Sequence, residues 1–215
     1  MRLKKVKGAL EKLENDKIYY CNNPSLNKGK WNLLFNNNNP IHIEIGCGKG
    51  DFAIGMAEAF PNINFIAIEK FESVLIRALD KALANNLPNL KLVHMDAMNL
   101  LDLFNENEIS NIYLNFSDPW PKTRHAKRRL TAPSFLEVYS KILKDDGAII
   151  QKTDNQILYE YSIESFSQNG WYLSNICVDL HSKDQFNVLT EYERKKSKLG
   201  PIYKLEAKKC KNALN

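Results

Sequence analysis

Cysteine is scarce in this chain, and the four cysteines that occur are far apart. They form no Cys-x-x-Cys pair and no cluster with histidine. A zinc site, a redox motif or a disulfide framework requires cysteines at short, paired spacings. We therefore expect reduced thiols, no metal site and a cytoplasmic location.

Long apolar runs are also missing. No apolar segment approaches the roughly 18 residues that a membrane-spanning helix needs. The first residues are basic, but no apolar segment follows them as in a signal peptide. The chain has 215 residues and is 44% hydrophobic, which suffices for one domain with a full core. We expect a basic, weakly ordered N-terminal arm over residues 1–30 and a single domain over 31–215. This domain should have no membrane contact and should be a monomer or a homodimer.

Acidic residues are absent from one short segment that is crowded with cations. Residues 122–129 carry five basic side chains and no acidic one, although the net charge of the whole chain is only +5. An unpaired basic cluster is typical of a surface that contacts phosphate groups. Residues 1–17 and 204–215 are basic too, but lysines that merely keep the termini in solution explain those segments equally well. The pattern favours a polyanion as partner.

The rest of the chain alternates between strand and helix patterns. Short apolar runs predict strands, and periodic apolar positions such as those over 71–83 predict helices between them. Five such alternations indicate a doubly wound, mainly parallel α/β sheet, which binds ligands outside the carboxyl ends of its strands. Acids stand at or just after four predicted strand ends, namely at Glu69, Asp96, Asp118 and Asp154.

The chain has only nine glycines, yet four of them lie between positions 46 and 55. The spacing is G-x-G-x-G and not the G-x-G-x-x-G of dinucleotide enzymes. Glu44 would repel a pyrophosphate and suits a cationic ligand such as S-adenosylmethionine. Glu69 is placed to accept ribose hydroxyls and Asp96 to meet the adenine amino group. Alternatively, Glu44 caps the loop and Asp96 caps the following helix.

Together these features indicate a class I methyltransferase. The expected fold is α/β, a doubly wound, mostly parallel seven-stranded class I (Rossmann-like) sheet with an antiparallel last strand. The glycine spacing and Glu44 argue against a nicotinamide-dependent oxidoreductase. A non-catalytic RNA-binding protein on a methyltransferase fold is the main alternative, although such a protein would be expected to have lost the cofactor acids.

Four segments resemble motifs of one family. Residues 118–129, Asp-Pro-Trp-Pro-Lys-Thr-Arg-His-Ala-Lys-Arg-Arg, are similar to the hallmark of the bacterial tRNA (guanine-N7-)-methyltransferases, the TrmB family. Residues 44–50, 153–155 and 190–193 resemble its other motifs, and the resemblance covers about residues 40–205. It implies an enzyme that moves a methyl group from S-adenosylmethionine to N7 of the guanine at position 46 in the variable loop of tRNA.

The resemblance also implies roles for individual residues. The implied cofactor-binding residues are Glu44, Gly46, Gly48, Glu69, Asp96 and Asp118. The implied residues for the target nucleotide are Lys122, Asp154, Thr190, Glu191, Tyr192 and Glu193. The implied RNA-contacting residues are Arg124, His125, Lys127, Arg128 and Arg129. Asp118 is the catalytic candidate: it would orient the guanine edge or the cofactor's amino group and stabilise the developing cationic purine.

Ordinary structural roles compete with several of these assignments. Asp118 could form the turn before Pro119, and Asp154 could cap the helix that follows it. Thr190-x-x-Glu193 also reads as a helix capping box. Trp120 could stack on a flipped base or simply pack the loop. Cys47 is expected to be a small filler of the glycine loop and not a nucleophile.

Overall fold

The computed structural model describes residues 5–182 and 186–210, and the chain divides after Asn105 into two compact units. The first unit contains α1 (Ala9–Asn15), α2 (Trp31–Phe35), β1 (Ile41–Ile45), α3 (Asp51–Ala59), β2 (Asn64–Glu69), α4 (Glu72–Ala82), β3 (Leu90–His94) and α5 (Leu100–Leu103). The second contains β4 (Ile109–Asn115), α6 (Pro133–Ile142), β5 (Leu143–Thr153), α7 (Gln156–Gln168), β6 (Trp171–Cys177), α8 (Glu191–Lys196) and β7 (Tyr203–Lys209).

The strands form a seven-stranded sheet in the order β3-β2-β1-β4-β5-β7-β6. In the first unit, β1 pairs with β2 and β2 with β3, both in parallel. All five residues of β1 and all six of β2 are buried. β2 reads as a nearly continuous apolar run, as expected of a parallel strand that is covered on both faces, whereas β1 carries His42 and Glu44 at buried positions.

In the second unit, β4 pairs in parallel with β5, whereas β7 runs antiparallel to both β5 and β6. The mostly parallel sheet with an antiparallel last strand is thus confirmed. The Asp-Asp-Gly segment at 145–147 has a composition typical of a turn, but it lies inside the long strand β5. There the register with β4 shifts, so that Ile109 pairs with Leu143 but Asn111 pairs with Ala148.

The helices follow the apolar periodicity of the sequence. Helix α4 buries Leu75, Ile76, Ala78, Leu79 and Ala82, which lie on one stripe at helical spacing. Across residues 5–182 and 186–210, no helix has both the length and the apolar character needed to span a membrane.

The N-terminal segment differs from the weakly ordered arm that we expected. Within residues 5–30, helix α1 buries Leu13 completely, and Lys12 forms an ion pair with Asp80 of α4 at 2.6 Å. Tyr19 is also buried, and its hydroxyl donates to the carbonyl of Asn85. A seven-residue helix has little stability alone, so its order comes from these tertiary contacts, which local sequence patterns do not reveal. Residues 1–4 lie outside the described residues.

Candidate functional site

The glycine loop of the first unit has the backbone shape that the sequence suggested. Gly46 and Gly48 have φ of 75° and 58°, a region that favours glycine. A Cβ added at either position would meet no atom within 4 Å. These two glycines therefore leave open space beside the backbone, where a ligand can approach closely. At Gly50 the reason differs, since an added Cβ would lie 2.7 Å from the Cβ of Ala78.

Glu69, at the end of β2, holds this loop in place. Its side chain is buried, and Oε2 accepts a hydrogen bond from the Gly48 N–H at 3.0 Å. Its Oε1 accepts from the Phe71 N–H at 3.0 Å. A carboxylate has about four lone-pair sites, so these two bonds are compatible with a further bond from a ligand hydroxyl. The predicted ribose-binding acid is therefore also a brace for the loop, a role that sequence reasoning missed.

Asp96 combines a structural contact with an ion pair. Its Oδ1 accepts from the Met98 N–H at 3.1 Å and caps the short 3-10 helix Ala97–Asn99, so the capping interpretation is confirmed. Its Oδ2 lies 2.5 Å from the ammonium of Lys70. Burial acts to raise the pKa of Asp96, but the hydrogen bonds from Lys70 and Met98 outweigh it and hold the pKa below its usual value. Asp96 is thus an ionised acceptor at neutral pH.

Cys47 has the environment of an inert thiol. It is buried, and desolvation together with the charges of Glu44 and Glu69 raises its pKa well above the ordinary value. A thiolate is therefore disfavoured, in agreement with its predicted role as a filler. Glu44 is itself buried at 4% exposure in β1. The open glycine loop and its buried carboxylates fit a ligand that carries ribose hydroxyls and positive charge.

In the second unit, Asp118 lies exposed in a loop with unusual backbone angles. Phe116 and Trp120 on either side of it have φ of 52° and 42°. Bulky residues adopt this left-handed region at a cost, and such strain concentrates at functional loops. The Phe116 N–H donates to the carbonyl of Lys152 at 2.8 Å, which ties the start of the loop to β5.

Arg129 closes the same loop from its other end. Its Nε donates to the carbonyl of Pro119 at 3.0 Å and its Nη2 to that of Trp120 at 3.1 Å. The guanidinium lies 4.2 Å from the ring centroid of Tyr161, and the residue is only 6% exposed. Two of its donors are thus directed to the loop, and the RNA contact that the resemblance implies for Arg129 stays a prediction. The sequence could not distinguish the role of Arg129 from the roles of the other four cations of residues 122–129, because all five are lysine or arginine.

The other cations of the run are accessible. Residues Thr123–Arg128 form a 3-10 helix on which Arg124, Lys127 and Arg128 are exposed, and Lys122 before it is exposed as well. The Arg128 guanidinium lies 4.9 Å from the ring centroid of Trp120, and the His125 ring meets the same indole edge-on at 5.7 Å. These contacts support the interpretation that Trp120 packs the loop.

The predicted nucleotide-binding residues Asp154 and Tyr192 lie together. The Tyr192 hydroxyl is 3.4 Å from each carboxylate oxygen of Asp154. The Lys196 ammonium, which the sequence analysis missed, lies 2.9 Å from Asp154 Oδ2. The capping interpretation of Asp154 is wrong, because the helix α7 is capped by Asn155, whose side chain accepts from the Leu158 N–H.

The segment Thr190–Glu193 divides into exposed and buried residues. Thr190 caps α8 by accepting from the Glu193 N–H at 2.9 Å, which confirms that half of the capping box. Glu191 pairs with Lys195 on the surface at 2.5 Å, and Tyr192 is 45% exposed. The side chain of Glu193 is fully buried in an ion pair with Lys152. The contact of Glu193 with the nucleotide, which the resemblance implies, stays a prediction, and the structure shows this side chain committed to Lys152.

Comparison with known proteins gives a consistent result. The family model described as "Putative methyltransferase" matches residues 38–205. A tRNA (guanine-N(7)-)-methyltransferase from Geobacillus sp. is 54% identical over 97% of this chain and 96% of its own length. The protein of that name from Listeria welshimeri is 53% identical over 99% of this chain and 100% of its own length.

Solved structures share the fold at low sequence identity. The 16S rRNA methyltransferase KamB is 13% identical, with a TM-score of 0.65 over 84% of this chain and 93% of its own. An antibiotic-related methyltransferase is 17% identical, with a TM-score of 0.61 over 84% and 92%. These likenesses confirm the class I methyltransferase fold. With identity above 50% over nearly the full length of the curated relatives, the chain belongs to the tRNA (guanine-N7-)-methyltransferase family.

Proposed function

We propose that this chain transfers the methyl group of S-adenosylmethionine to N7 of a guanine in tRNA. The observation that carries the proposal is the identity of 53–54%, over nearly the whole chain, to relatives whose names state this activity. Two finer assignments belong to this proposal. The methyl acceptor is the guanine at position 46 of the variable loop, and the protein acts on tRNA in the cytoplasm. Both follow from the family resemblance.

The proposed reaction needs little acid–base chemistry. Guanine N7 has an in-plane lone pair and no proton, so a bond from N7 to the methyl carbon forms without a general base. The carbon–sulfur bond breaks as this bond forms, its electron pair remains on sulfur, and the positive charge passes to the purine. S-adenosylmethionine, when bound, supplies the electrophilic methyl group. The protein's contribution is therefore positioning and electrostatic stabilisation.

The residues of the first unit are proposed to bind the cofactor. The open backbone at Gly46 and Gly48 supports a close approach by the ligand. Glu69 would accept ribose hydroxyls while bracing the loop, and Asp96 would accept from the adenine amino group. Glu44 would favour the cationic end of the ligand.

The residues of the second unit are proposed to handle the tRNA. Asp118 would stabilise the cationic purine, and Lys122 would contact the target nucleotide. Asp154 would accept from the guanine N1–H and amino group, since a carboxylate has the lone pairs to receive both. The contact between Asp154 and Tyr192 supports their assignment to one substrate-binding group.

Transfer of tritium from methyl-labelled S-adenosylmethionine to tRNA tests the function. We expect label in 7-methylguanosine after digestion to nucleosides, and its loss when position 46 of the transcript is changed from guanine to adenine. A non-catalytic RNA-binding protein would bind tRNA without incorporating label. Label in another nucleoside would contradict the proposed acceptor.

Neutralising the accessible cations is expected to flatten the salt dependence of tRNA binding. Each phosphate contact contributes about 0.7 to 0.9 to the slope of log affinity against log salt. Replacing Arg124, Lys127 and Arg128 together with glutamine should thus lower the slope by about two to three. Filter binding or fluorescence anisotropy at several salt concentrations measures it.

A matched control removes the same charge from lysines that already have acidic partners. The control is the triple glutamine variant of Lys12, Lys141 and Lys208, which pair with Asp80, Glu137 and Glu206. This variant should keep the wild-type slope. An equal change in both triple variants would mean that the effect reflects net charge and not contact by the 124–128 segment.

A further inference from the structure

Lys152, on β5, has its ammonium group buried and fully bonded. Its side chain is 4% exposed. Its Nζ donates to Glu193 Oε2 at 2.8 Å, to Asn187 Oδ1 at 3.0 Å and to the carbonyl of Val188 at 3.2 Å. A lysine ammonium has three donors, so these three acceptors account for all of them.

Glu193 is equally committed to the protein. Its side chain is 0% exposed. Its Oε1 accepts from the Asn187 amide at 2.7 Å and lies 3.1 Å from Nε2 of His181, while Oε2 accepts from Lys152. A buried, multiply bonded carboxylate could reach a nucleotide only if this network were taken apart.

A buried ion pair of this kind seldom stabilises a protein in net terms. The free energy needed to remove two charges from water is about as large as the free energy of their attraction. A protein with well-packed apolar residues at the same positions is therefore often as stable. What such a pair can supply is a defined register between the elements that it joins. Here it joins β5, the residues 187–188 and the first turn of α8.

The residues next to this pair are those proposed for the target nucleotide. Asp154 follows Lys152 by two positions, and Tyr192 directly precedes Glu193. The Lys152 carbonyl accepts from the Phe116 N–H, and the Phe116 ring lies 5.1 Å from that of Tyr192. The buried pair thus defines where Asp154 and Tyr192 meet and how the loop after β4 begins.

We propose that Lys152 and Glu193 are positioning residues that align Asp154 and Tyr192 for the target nucleotide, and that Glu193 does not itself bind the substrate. The inference rests on the proposed tRNA methyltransferase function. It departs from the family resemblance at one residue, since the resemblance alone assigned Glu193 to the nucleotide.

A double-mutant cycle tests the inference. The single variants Lys152→Met and Glu193→Gln each leave one buried charge without its counter-charge. Both should lose about tenfold or more in kcat/KM for tRNA and unfold at lower denaturant concentration. The double variant K152M/E193Q has no such charge, and its introduced glutamine side chain retains an acceptor for Asn187. It should recover most of both losses, with methyl transfer within about threefold of wild type.

The outcomes separate the two roles of Glu193. If the double variant regains its denaturation midpoint but not its methyl transfer, Glu193 contacts the substrate and the inference is overturned. The inference is also overturned if Glu193→Gln loses methyl transfer while its denaturation midpoint is unchanged. The same holds if this variant keeps both its methyl transfer and its midpoint. Should a single variant fail to fold, the double variant alone decides, since it carries no uncompensated charge.

Two further measurements serve as controls for the double-mutant cycle. The exposed pair Glu137 and Lys141 on α6 is a matched control, and E137Q/K141M should leave kcat/KM and the midpoint unchanged. Affinity for S-adenosylmethionine, measured by calorimetry, should change little through the cycle, because three of the four acids assigned to the cofactor, Glu44, Glu69 and Asp96, belong to the first unit. If the wild type transfers no methyl group to tRNA, the proposed function fails. The denaturation midpoints of the variants still show whether Lys152 and Glu193 stabilise each other.

Discussion

Replacing Asp118 with alanine is expected to lower the rate of methyl transfer to tRNA by about 10²- to 10³-fold, the range found when one electrostatic contributor to a transition state is removed. As the methyl group moves, positive charge develops on the purine, and a nearby carboxylate would stabilise it. Because the residue is exposed, its loss should change the denaturation midpoint little. Single-turnover kinetics with saturating tRNA and cofactor measures the chemical step directly.

Asp118→Asn separates the two interpretations of this residue. Asparagine forms a turn before proline as readily as aspartate does, but it carries no charge. Activity near wild type in D118N would show that Asp118 only shapes the turn, and near-wild-type turnover in D118A would remove any role in the reaction. Asp146→Ala, which deletes another exposed acid of the second unit, is the control and should turn over normally.

Replacing Arg129 with glutamine is expected to reduce kcat by about 10²-fold, because small misplacements of a reacting group have effects of this size. The substitution removes two charge-assisted hydrogen bonds to the carbonyls of Pro119 and Trp120. Without them the loop that carries Asp118 has no clamp at its far end. Steady-state kinetics with tRNA measures the loss, and Arg129→Lys should restore only part of it, since an ammonium lacks the planar fork that reaches both carbonyls.

The salt dependence of tRNA binding distinguishes this clamp from a phosphate contact. Arg128→Gln, next to it and exposed, should lower the slope by about 0.7 to 0.9, whereas Arg129→Gln should leave the slope as it is. A slope that falls equally in both variants would return Arg129 to the RNA-contacting residues.

Much of the fold could be read from local patterns. The apolar positions at 41–45 and the apolar period over 71–83 coincide with strand β1 (Ile41–Ile45) and helix α4 (Glu72–Ala82) of the structure. Each combines a clear apolar period with polar or glycine residues at its ends, so the local signal was complete. Helix α1 escaped prediction because its order depends on burial of Leu13 in the first unit and not on its own seven residues.

The sequence predicted which segments form the candidate site, but it did not predict which role each side chain has there. The glycine loop, the acids at strand ends and the basic run were all visible in the sequence, since each has a distinctive composition. The sequence offered Asp154 as a possible cap of α7, whereas Asn155 caps it in the structure, because either residue type can fill that position.

The sequence by itself determined the alternation of strands and helices after residue 40, the class of cofactor to expect and the family. What only the tertiary structure decided is which charged side chains turn inward. Arg129 and Glu193 are indistinguishable in type from exposed neighbours, yet one clamps a loop and the other lies in a buried ion pair. Burial of a charge depends on partners that folding brings to it, and for Glu193 the partner Lys152 lies 41 residues away along the chain.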